Sequence, residues 1–466
     1  MQYDVLFIGA AHSGFSVAAF LARIMTRPGC IAILCLCLVA CQPQPEVTKA
    51  SYAPDSGNLF VRCGMLIDGL ADKPATDKMV VIRHGRFAAI VAGEAEIRPG
   101  TPFLDLRGFT CLPGLINAHV HLAELPEDAL DYGIYYRRTT EDHNNLALRT
   151  AGESLLSGFT TVRNIGEFFP NAIYFARDQI DAGRAIGPRI QTAGPYLTIP
   201  AGGGDLVVPD YDESEIPPAG RSGVARGPEQ FREKAELAVA DGADLLKVIA
   251  SGAVFSYGIE PGLPEMTFEE ISAVVEVARA AGIKISAHVH SAQSAKDAIL
   301  AGVDFLEHAS LLDDEAIALA AEHDVALSMD VYNGTYTDTV GREQGYSEEL
   351  LRRNTDTTEA QRIVFEKAYA QGVPIIYGTD GGVMPHDMGG WQFAIMVERG
   401  MAPMDAIKSA TSVAAYYMGL AVDVGAVEKG RLGDLIAVRG NPLDDMHVMR
   451  SVDVVIKGGL IFKLND

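Results

Sequence analysis

Two histidines in the segment 114–122 have the spacing of a metal-binding pair. His119 and His121 lie two residues apart in an apolar run that has the pattern of a β-strand. Because side chains alternate between the two faces of a strand, both imidazoles project to the same side and can bind one cation. Such a pair also occurs in strands that bind no metal, so it needs further ligands before it indicates a site.

Further candidate ligands follow at or near the ends of other strand-like runs. They are Lys247, His288, His290, His308 and Asp380. A barrel of alternating parallel strands and helices builds its active site at the C-terminal ends of its strands, with side chains from several of them. The positions therefore predict that these residues meet around one centre.

The pattern of residues 114–427 predicts the elements that position these side chains. Eight apolar runs have the character of strands, and most are followed by a helical stretch such as 268–281. The runs are 116–121, 160–165, 189–194, 245–249, 284–290, 304–309, 326–331 and 374–380. Their alternation predicts an α/β fold with a (β/α)8 TIM barrel, since a doubly wound open sheet would not gather ligands from five strands. The long segments 195–230 and 332–356 are expected to be loops over the active face.

Strand-like runs with glycine turns flank the barrel, in residues 59–113 before it and 428–466 after it. Their common alternation predicts that the two ends form one small composite β-sandwich, into which the barrel is inserted. Cys63 and Cys111 are the only cysteines after residue 41. Two cysteines make no disulfide framework and no Cys-x-x-Cys zinc pattern, so we expect two small buried residues.

Residues 1–41 have the features of an N-terminal extension. Residues 25–41 join a short basic start to an apolar run too short to span a bilayer comfortably, and they end in Leu-Val-Ala-Cys. This is typical of a bacterial lipoprotein signal with Cys41 as the lipidated residue, followed by a polar linker over 42–58. The pattern predicts a location in the bacterial cell envelope or periplasm, or the cytoplasm if the signal is not used. Residues 3–15 imitate a dinucleotide-binding turn, but Ala11 replaces a required glycine, which favours Met25 as the natural start.

The charge balance excludes two classes of partner. The chain of 466 residues has 61 acidic and 38 basic side chains, for a net charge of −23. Nucleic acids and anionic membrane surfaces both require a basic face. We therefore expect no nucleic acid partner, and membrane contact only through a lipid anchor at Cys41.

Six sequence blocks make a more specific prediction. They are 114–121, 247–252, 287–290, 302–308, 378–380 and 403–411. Through them the chain from about residue 59 resembles the amidohydrolase superfamily, in its imidazolonepropionase-like branch of metal-dependent dipeptidases and prolidases, and is similar to the ochratoxin-hydrolysing amidohydrolases. The resemblance implies a binuclear site with two divalent ions, commonly Zn²⁺, and a homo-oligomer.

Six side chains are implied as metal ligands, in chain order His119, His121, Lys247, His288, His308 and Asp380. The first two and the last would bind one ion, and the fourth and fifth the other. Lys247, carboxylated by CO₂, would bridge both, because a carbamate is an anionic oxygen donor whereas a lysine repels metals. The alternative for Lys247 is a charge that extends from a strand end to solvent.

The same resemblance implies catalytic and substrate-binding roles. Asp380 would take the proton of a metal-bridging hydroxide and pass it to the leaving amine, and His290 would stabilise the oxyanion. Either His288 or His290 could be the ligand, and the family pattern assigns the metal to the first. Tyr257 is a candidate contact for a substrate carboxylate. His386 is either a substrate contact or a turn residue.

The function that this set implies is hydrolysis of an amide bond in a small molecule. The expected substrates are dipeptides or N-acyl amino acids with a free carboxylate, ochratoxin-like aryl amides included. A cyclic amide or lactam hydrolase, of imidazolonepropionase or hydantoinase type, is the alternative because it uses the same barrel. A deaminase is disfavoured because Lys247 would have no role in a one-metal site. A non-catalytic lipoprotein would have lost a ligand, and all six are present.

Overall fold

The computed structural model describes residues 58–93, 103–208 and 212–465. The predicted extension 1–41, its Cys41 anchor and the linker up to residue 57 lie outside the described residues. Among the helices of the described ranges, none has both the length and the apolar character needed to cross a bilayer.

Strands and helices are numbered here in chain order. The strands are β1 (Asn58–Leu66), β2 (Ala75–Arg83), β3 (Arg86–Ala92), β4 (Leu104–Pro113), β5 (Leu115–Val120), β6 (Phe159–Asn164), β7 (Arg189–Thr192), β8 (Leu245–Ile249), β9 (Lys284–Ser291), β10 (Phe305–Leu311), β11 (Ala326–Ser328), β12 (Ile375–Ile376), β13 (Leu435–Arg439), β14 (Val454–Lys457) and β15 (Leu460–Leu464). The helices are α1 (Ile134–Arg137), α2 (Thr140–Leu156), α3 (Asn171–Asp181), α4 (Gly227–Ala240), α5 (Phe268–Ala281), α6 (Ala292–Ala301), α7 (Asp314–Glu322), α8 (Asn333–Tyr336), α9 (Arg342–Gln344), α10 (Glu348–Ala370), α11 (Gln392–Glu398), α12 (Pro403–Ser409) and α13 (Ser412–Tyr417).

Strands β5 to β12 form a closed parallel barrel. Strands β5, β6 and β7 pair in one parallel run, and β8 to β12 pair in a second. Backbone hydrogen bonds join the runs at both junctions. The N–H of Ile249 donates to the carbonyl of Leu197 at 2.9 Å, and the N–H of Asp380 donates to the carbonyl of His119 at 2.9 Å. The predicted (β/α)8 barrel is thereby confirmed.

The ends of the outer helices are encoded locally. Helix α5 begins after Thr267, whose hydroxyl accepts from the N–H of Glu270 at 3.2 Å, while the Glu270 carboxylate accepts from the N–H of Thr267 at 2.9 Å. This reciprocal pair satisfies backbone donors that the first turn leaves free. The helix ends at Gly282, whose φ of 68° lies in the left-handed region. Glycine is the residue that this conformation strains least. The apolar residues of α5 then face the barrel core.

The two chain ends meet in one seven-stranded sheet with the order β15-β14-β13-β4-β1-β2-β3. Strand β4 pairs antiparallel with β13, which places Leu112 opposite Ile436. The sheet folds back on itself, because the N–H of Phe87 donates to the carbonyl of Arg431 at 2.9 Å. Its inner face buries an apolar core of its own. Both chain ends contribute strands to this sheet, and the barrel strands β5 to β12 lie between β4 and β13 in the sequence.

Cys63 and Cys111 form a disulfide, so their prediction as two unpaired buried residues is wrong. Strands β1 and β4 are parallel neighbours, and Cys111 lies opposite Leu66, three residues beyond Cys63. A register shift after Cys63 brings the two Cα atoms to 5.9 Å, within the usual range for a disulfide. The count of cysteines could not reveal this pair, because it depends on which strands become neighbours.

The segment 332–356 is largely helical rather than the expected loop. It contains α8, a π-helical turn at Thr337–Gly341, α9 and the first turns of α10. Ser347 starts α10, because its hydroxyl accepts from the N–H of Leu350. Helix α10 therefore begins eight residues before the expected end of the loop, and it gives this side of the barrel a helical cover.

Candidate active site

The candidate ligands meet in one cavity of about 120 Å³ at the C-terminal ends of the barrel strands. They are His119, His121, Lys247, His288, His290, His308 and Asp380, and all are buried. Six of them lie in or directly after β5, β8, β9 or β10, and Asp380 follows β12 by four residues. The closed barrel thus brings together residues that are up to 261 positions apart in the sequence.

Three donor atoms converge at the side of the cavity formed by β5. The Oδ1 atom of Asp380 lies 3.2 Å from Nε2 of His119 and 3.2 Å from Nε2 of His121, and the two Nε2 atoms are 3.3 Å apart. Ligands bonded to one Zn²⁺ at about 2.0–2.2 Å lie roughly 3 Å or slightly more from one another. Burial opposes ionisation of Asp380, but both histidines outweigh it and hold the pKa of that carboxyl well below its usual range.

Three imidazoles form a second cluster. The ring centroids of His288, His290 and His308 lie 4.5–4.9 Å apart, and one nitrogen of each ring lies within 4.8 Å of the others. Burial, and then the neighbouring His308, lowers the pKa of His290 to about 3 and the pKa of His288 well below its usual value. Both rings are therefore neutral at pH 7, the form that binds a metal ion.

Two buried carboxylates orient His119 and His308. The Oε2 atom of Glu307 lies 2.8 Å from Nδ1 of His119, and Oδ1 of Asp330 lies 3.0 Å from Nδ1 of His308. Glu307 is itself held by the guanidinium of Arg163 at 2.6 Å. A carboxylate at one ring nitrogen fixes the tautomer that presents the other, which is the usual surrounding of metal-binding histidines.

The remaining three histidines are held in the same way by neutral oxygen atoms. The pairs are His121 Nδ1 with the Gly166 carbonyl at 2.9 Å, His290 Nδ1 with the Ser310 hydroxyl at 2.9 Å and His288 Nε2 with the Gly252 carbonyl at 3.4 Å. In each ring one nitrogen is used by the protein. The other nitrogen is left for an ion or a substrate.

Lys247 is the central residue of β8 and is buried in the same cavity. Burial lowers the pKa of Lys247 to about 8, against the opposing attraction of Glu307. A lower pKa raises the fraction of neutral amine at pH 7, and the neutral amine is the form that reacts with CO₂.

The backbone is strained where the ligands leave their strands. His308, Ala309 and Asp380 have φ values of 65°, 53° and 56°. Left-handed conformations of this kind cost a non-glycine residue about 1–3 kcal/mol and persist where the surrounding structure imposes them, which is often at active sites. Two of the candidate ligands are therefore held in place by backbone turns as well as by their side-chain partners.

The rest of the cavity has two unlike linings that sequence reasoning did not find. The first, called the aromatic wall below, consists of Tyr132, Tyr135, Phe168, Tyr196 and Phe255, and Glu124 lines the cavity beside it. The second consists of neutral amides and hydroxyls, namely Asn333, Asn354, Thr357, Thr358 and Gln361. The position of Glu124, three residues after His121, was the one available indication. Burial raises the pKa of Glu124, against the attraction of His121.

The two predicted substrate contacts lie outside the lining of this cavity in the part of the chain that is described. Tyr257 is about half exposed, at 53%, and its ring packs edge-on against Tyr132 at 5.5 Å. His386 is buried beside Gly381, with Nε2 3.5 Å from the carbonyl of Glu124. Each side chain thus contacts a residue that lines the cavity without lining it itself, and its contact with substrate stays a prediction.

Comparison with known proteins adds independent findings. The model of the Amidohydrolase family matches residues 110–461, which include every barrel strand. Ochratoxinase of Aspergillus niger is 29% identical over 430 residues, covering 87% of this chain and 86% of that protein. Its crystal structure gives a TM-score of 0.75 at 26% identity, covering 87% of this chain and 96% of that one.

Two further solved structures are similar over their full length. A Xaa-Pro dipeptidase with bound methionine in the active site is 34% identical, with a TM-score of 0.81 over 87% of this chain and 100% of that chain. A prolidase complexed with N-methylphosphonate-L-proline is 25% identical, with a TM-score of 0.80 over 88% of this chain and 100% of that chain. Each of the three solved structures covers 87–88% of this chain, which is more than residues 114–427 alone.

Proposed function

Because the chain belongs to the amidohydrolase family, we propose that it cleaves the amide bond of a dipeptide or an N-acyl amino acid, as a prolidase or carboxypeptidase does. Ochratoxin-like aryl amides are included among the proposed substrates. Amide hydrolysis as the general reaction is supported by relatives that include an ochratoxinase and a Xaa-Pro dipeptidase. The observation that carries the proposal is that five buried histidines in one cavity are each held at one ring nitrogen.

The proposed cofactors are two divalent metal ions, with Zn²⁺ as the first choice. The donors around Asp380 would hold one ion, His288 and His308 the other, and Lys247 would be shared as its carbamate. The residues fit this role, because neutral imidazoles and carboxylate oxygens are the donors that Zn²⁺ accepts. Such ions, when bound, polarise a carbonyl group and lower the pKa of water.

Asp380 is the proposed proton carrier. Its Oδ1 atom faces the two histidines, while its Oδ2 atom accepts from the amide of Asn333 at 3.1 Å. This second contact fixes the plane of the carboxylate. The carboxylate would take a proton from the attacking water and deliver it to the leaving nitrogen of the amide.

His290 is the proposed donor to the developing oxyanion. When the hydroxyl of Ser310 donates to Nδ1, the neutral ring has its proton on Nε2. That N–H would stabilise the negative charge that forms on the carbonyl oxygen. Binding of a metal ion by His290 would require the opposite tautomer, with Nδ1–H donating to Ser310.

Substrate hydrolysis tests the reaction class. Purified protein expressed from residue 42 and loaded with Zn²⁺ is assayed with dipeptides, N-acyl amino acids, ochratoxin A, a hydantoin and a lactam. We expect release of free amino acids from members of the first two groups. Hydrolysis of the cyclic substrates alone would favour the alternative function, a cyclic amide or lactam hydrolase, and hydrolysis of none would reject the proposal.

Metal content tests the ligand set. We expect about two metal ions per chain in the parent protein and a clear loss in Lys247→Ala, because the shared ligand is removed. Lys234→Ala, on the outer helix α4, is the matched control and should keep both ions. About one ion per chain, unchanged in Lys247→Ala, would reject the carbamate-bridged site.

We further propose that the protein is exported to the bacterial cell envelope as a lipoprotein and forms a homo-oligomer. The disulfide between Cys63 and Cys111 supports export, because such bonds persist in oxidising compartments and are rare in the cytosol. Cell fractionation of the parent and of Cys41→Ala tests the anchor. The parent should be in the membrane fraction and the variant should not. Size-exclusion chromatography with light scattering tests the oligomer.

A further inference from the structure

Glu124 lies in the cavity, and no lysine or arginine among the described residues is paired with it. Its Oε1 atom accepts from the hydroxyl of Tyr196 at 2.9 Å, and within the described ranges this is the one hydrogen bond to its carboxylate. The other acid of the same stretch, Asp128, is paired with the guanidinium of Arg138 at 2.5 and 2.7 Å. The charge of Asp128 is therefore neutralised by an arginine, whereas Glu124 has no such partner in the described part of the chain.

Tyr196 shows on which side of the metal-binding cluster Glu124 lies. The Tyr196 hydroxyl is 2.9 Å from Nδ1 of His121 and also donates to Glu124. The nitrogen of His121 that faces Asp380 is Nε2, on the opposite side of the ring. Glu124 is thus one side chain beyond the converging donor atoms, a position suited to contact substrate rather than to bind the ion.

Aromatic rings surround this part of the cavity. Neighbouring centroids in the aromatic wall are 6.1 Å apart for Tyr132 and Tyr135, 5.1 Å for Tyr135 and Phe168 and 5.1 Å for Phe168 and Tyr196. All four rings line the same cavity as Glu124. The face of an aromatic ring attracts cations, so rings around a carboxylate have the chemistry of an ammonium site.

We propose that Glu124 and the aromatic wall bind the free ammonium group of the substrate. The protein would then be an enzyme for dipeptides with a free amino terminus in preference to N-acyl amino acids. This inference rests on the proposed amide hydrolysis and selects between its two substrate classes. An α-ammonium is attached to the carbon next to the scissile carbonyl, so it lies just beyond the reacting atoms, where Glu124 is. Its attraction to the carboxylate would offset its repulsion by the proposed metal ions.

A matched pair of substrates tests the inference. L-Phenylalanyl-L-alanine and N-acetyl-L-phenylalanyl-L-alanine share the same scissile bond and differ in the ammonium charge. We expect the parent enzyme to have a higher kcat/KM for the free dipeptide. Glu124→Gln should lower the ratio of the two values by about 10- to 100-fold, the usual effect of a charged hydrogen bond. Glu127→Gln, an exposed position three residues further on, should leave the ratio unchanged.

Inhibition by phenethylamine gives a second readout. It is measured on cleavage of the acetylated substrate, so it needs no turnover of the free dipeptide. Phenethylamine should inhibit the parent at lower concentration than it inhibits Glu124→Gln, while the neutral analogue 2-phenylethanol should show no such difference. Circular dichroism and metal content establish that the variant is folded and loaded.

Two results would overturn the ammonium site and leave amide hydrolysis intact. One is a parent enzyme that cleaves the acetylated substrate as fast as the free dipeptide. The other is an equal loss for both substrates in Glu124→Gln, which would indicate a structural role. Cleavage of neither substrate and of no N-acyl amino acid would reject the proposed function and this inference together.

Discussion

The C-terminal ends of the barrel strands and the seven-stranded sheet bury different kinds of side chain. Around the cavity, ionisable groups such as Glu307, Asp330 and Lys247 are almost completely buried. The inner face of the sheet holds aliphatic and aromatic residues and the disulfide. Burying charge opposes folding unless it is paired, whereas burying apolar surface favours folding. One region is therefore organised for chemistry and the other for stability, so variants should separate effects on activity from effects on stability.

Asp380→Asn should have the largest effect and should affect activity alone. Removal of the proposed proton carrier should lower kcat/KM by about 10³-fold, within the range for a general acid or base. The Tm should change little, because the amide keeps the shape of the carboxylate, although it loses the attraction of His119 and His121. Asp387→Asn, exposed seven residues further on, is the control. A large drop in Tm with retained activity would contradict the assigned role.

Replacing both Cys63 and Cys111 by alanine should lower stability and leave activity nearly unchanged, the opposite of Asp380→Asn. Loss of a cross-link between residues 48 positions apart should lower the free energy of unfolding by about 2–4 kcal/mol. Denaturant unfolding measures this loss, and kcat/KM at 25 °C should stay within about twofold of the parent, since the sheet contributes no residue to the cavity lining. Reduced parent protein should match the variant. A parallel loss of activity would show that the sheet and the site are not separable.

Glu307→Gln should affect the site through His119. The amide removes the buried charge that faces Nδ1 of His119, so we expect metal affinity to fall by about 10- to 100-fold. Competition with a chelator measures this affinity, and Glu315→Gln on the exposed side of α7 is the control. Unchanged affinity would mean that the backbone alone orients His119.

Glu265→Gln should have the smallest effect, visible as a change in pH dependence. Burial raises the pKa of Glu265 from 4.5 to about 8, against the N–H of Gly203, which donates to its carboxylate. Between these values the folded protein keeps a proton that the unfolded chain releases, so stability falls as pH rises from about 4.5 to 8.

The glutamine variant removes this contribution. Its Tm relative to the parent should therefore rise by several degrees between pH 5 and pH 8, because each pH unit between the two pKa values changes the stability difference by up to about 1.4 kcal/mol. Thermal unfolding at the two pH values measures the change. A constant difference between the two proteins would locate the pH dependence elsewhere.

The positions of the ligands were predictable because they follow from local patterns. His308 and Asp380 lie at or near the ends of apolar runs and Lys247 lies within one, and the rule for parallel barrels then places them together. The role of Glu307 was not predictable in this way, because strand alternation puts residues 307 and 308 on opposite faces. The φ of 65° at His308 breaks the alternation, and both side chains reach the region around the cavity.

Contacts between distant segments are the other kind of feature that could not be predicted from the sequence. The pairing of Cys63 with Cys111 depends on β1 and β4 being neighbours, and the aromatic wall combines residues from 124 to 255. No pattern within one segment reports which segments pack together. Helix α10 is a milder case, because its Ser347 cap could have been recognised within the segment expected to be a loop.

The joining of β4 to β13 has a consequence during synthesis of the chain. The N-terminal strands of the sheet leave the ribosome more than 300 residues before their partner strands, a delay of roughly 15–65 s at 5–20 residues per second. Cys63 and Cys111 both precede the barrel, so they can be joined early and hold β1 beside β4. Removal of the last 32 residues would leave β4 with an unpaired edge. The nascent chain has the same unpaired edge and is open to aggregation until its end is synthesised.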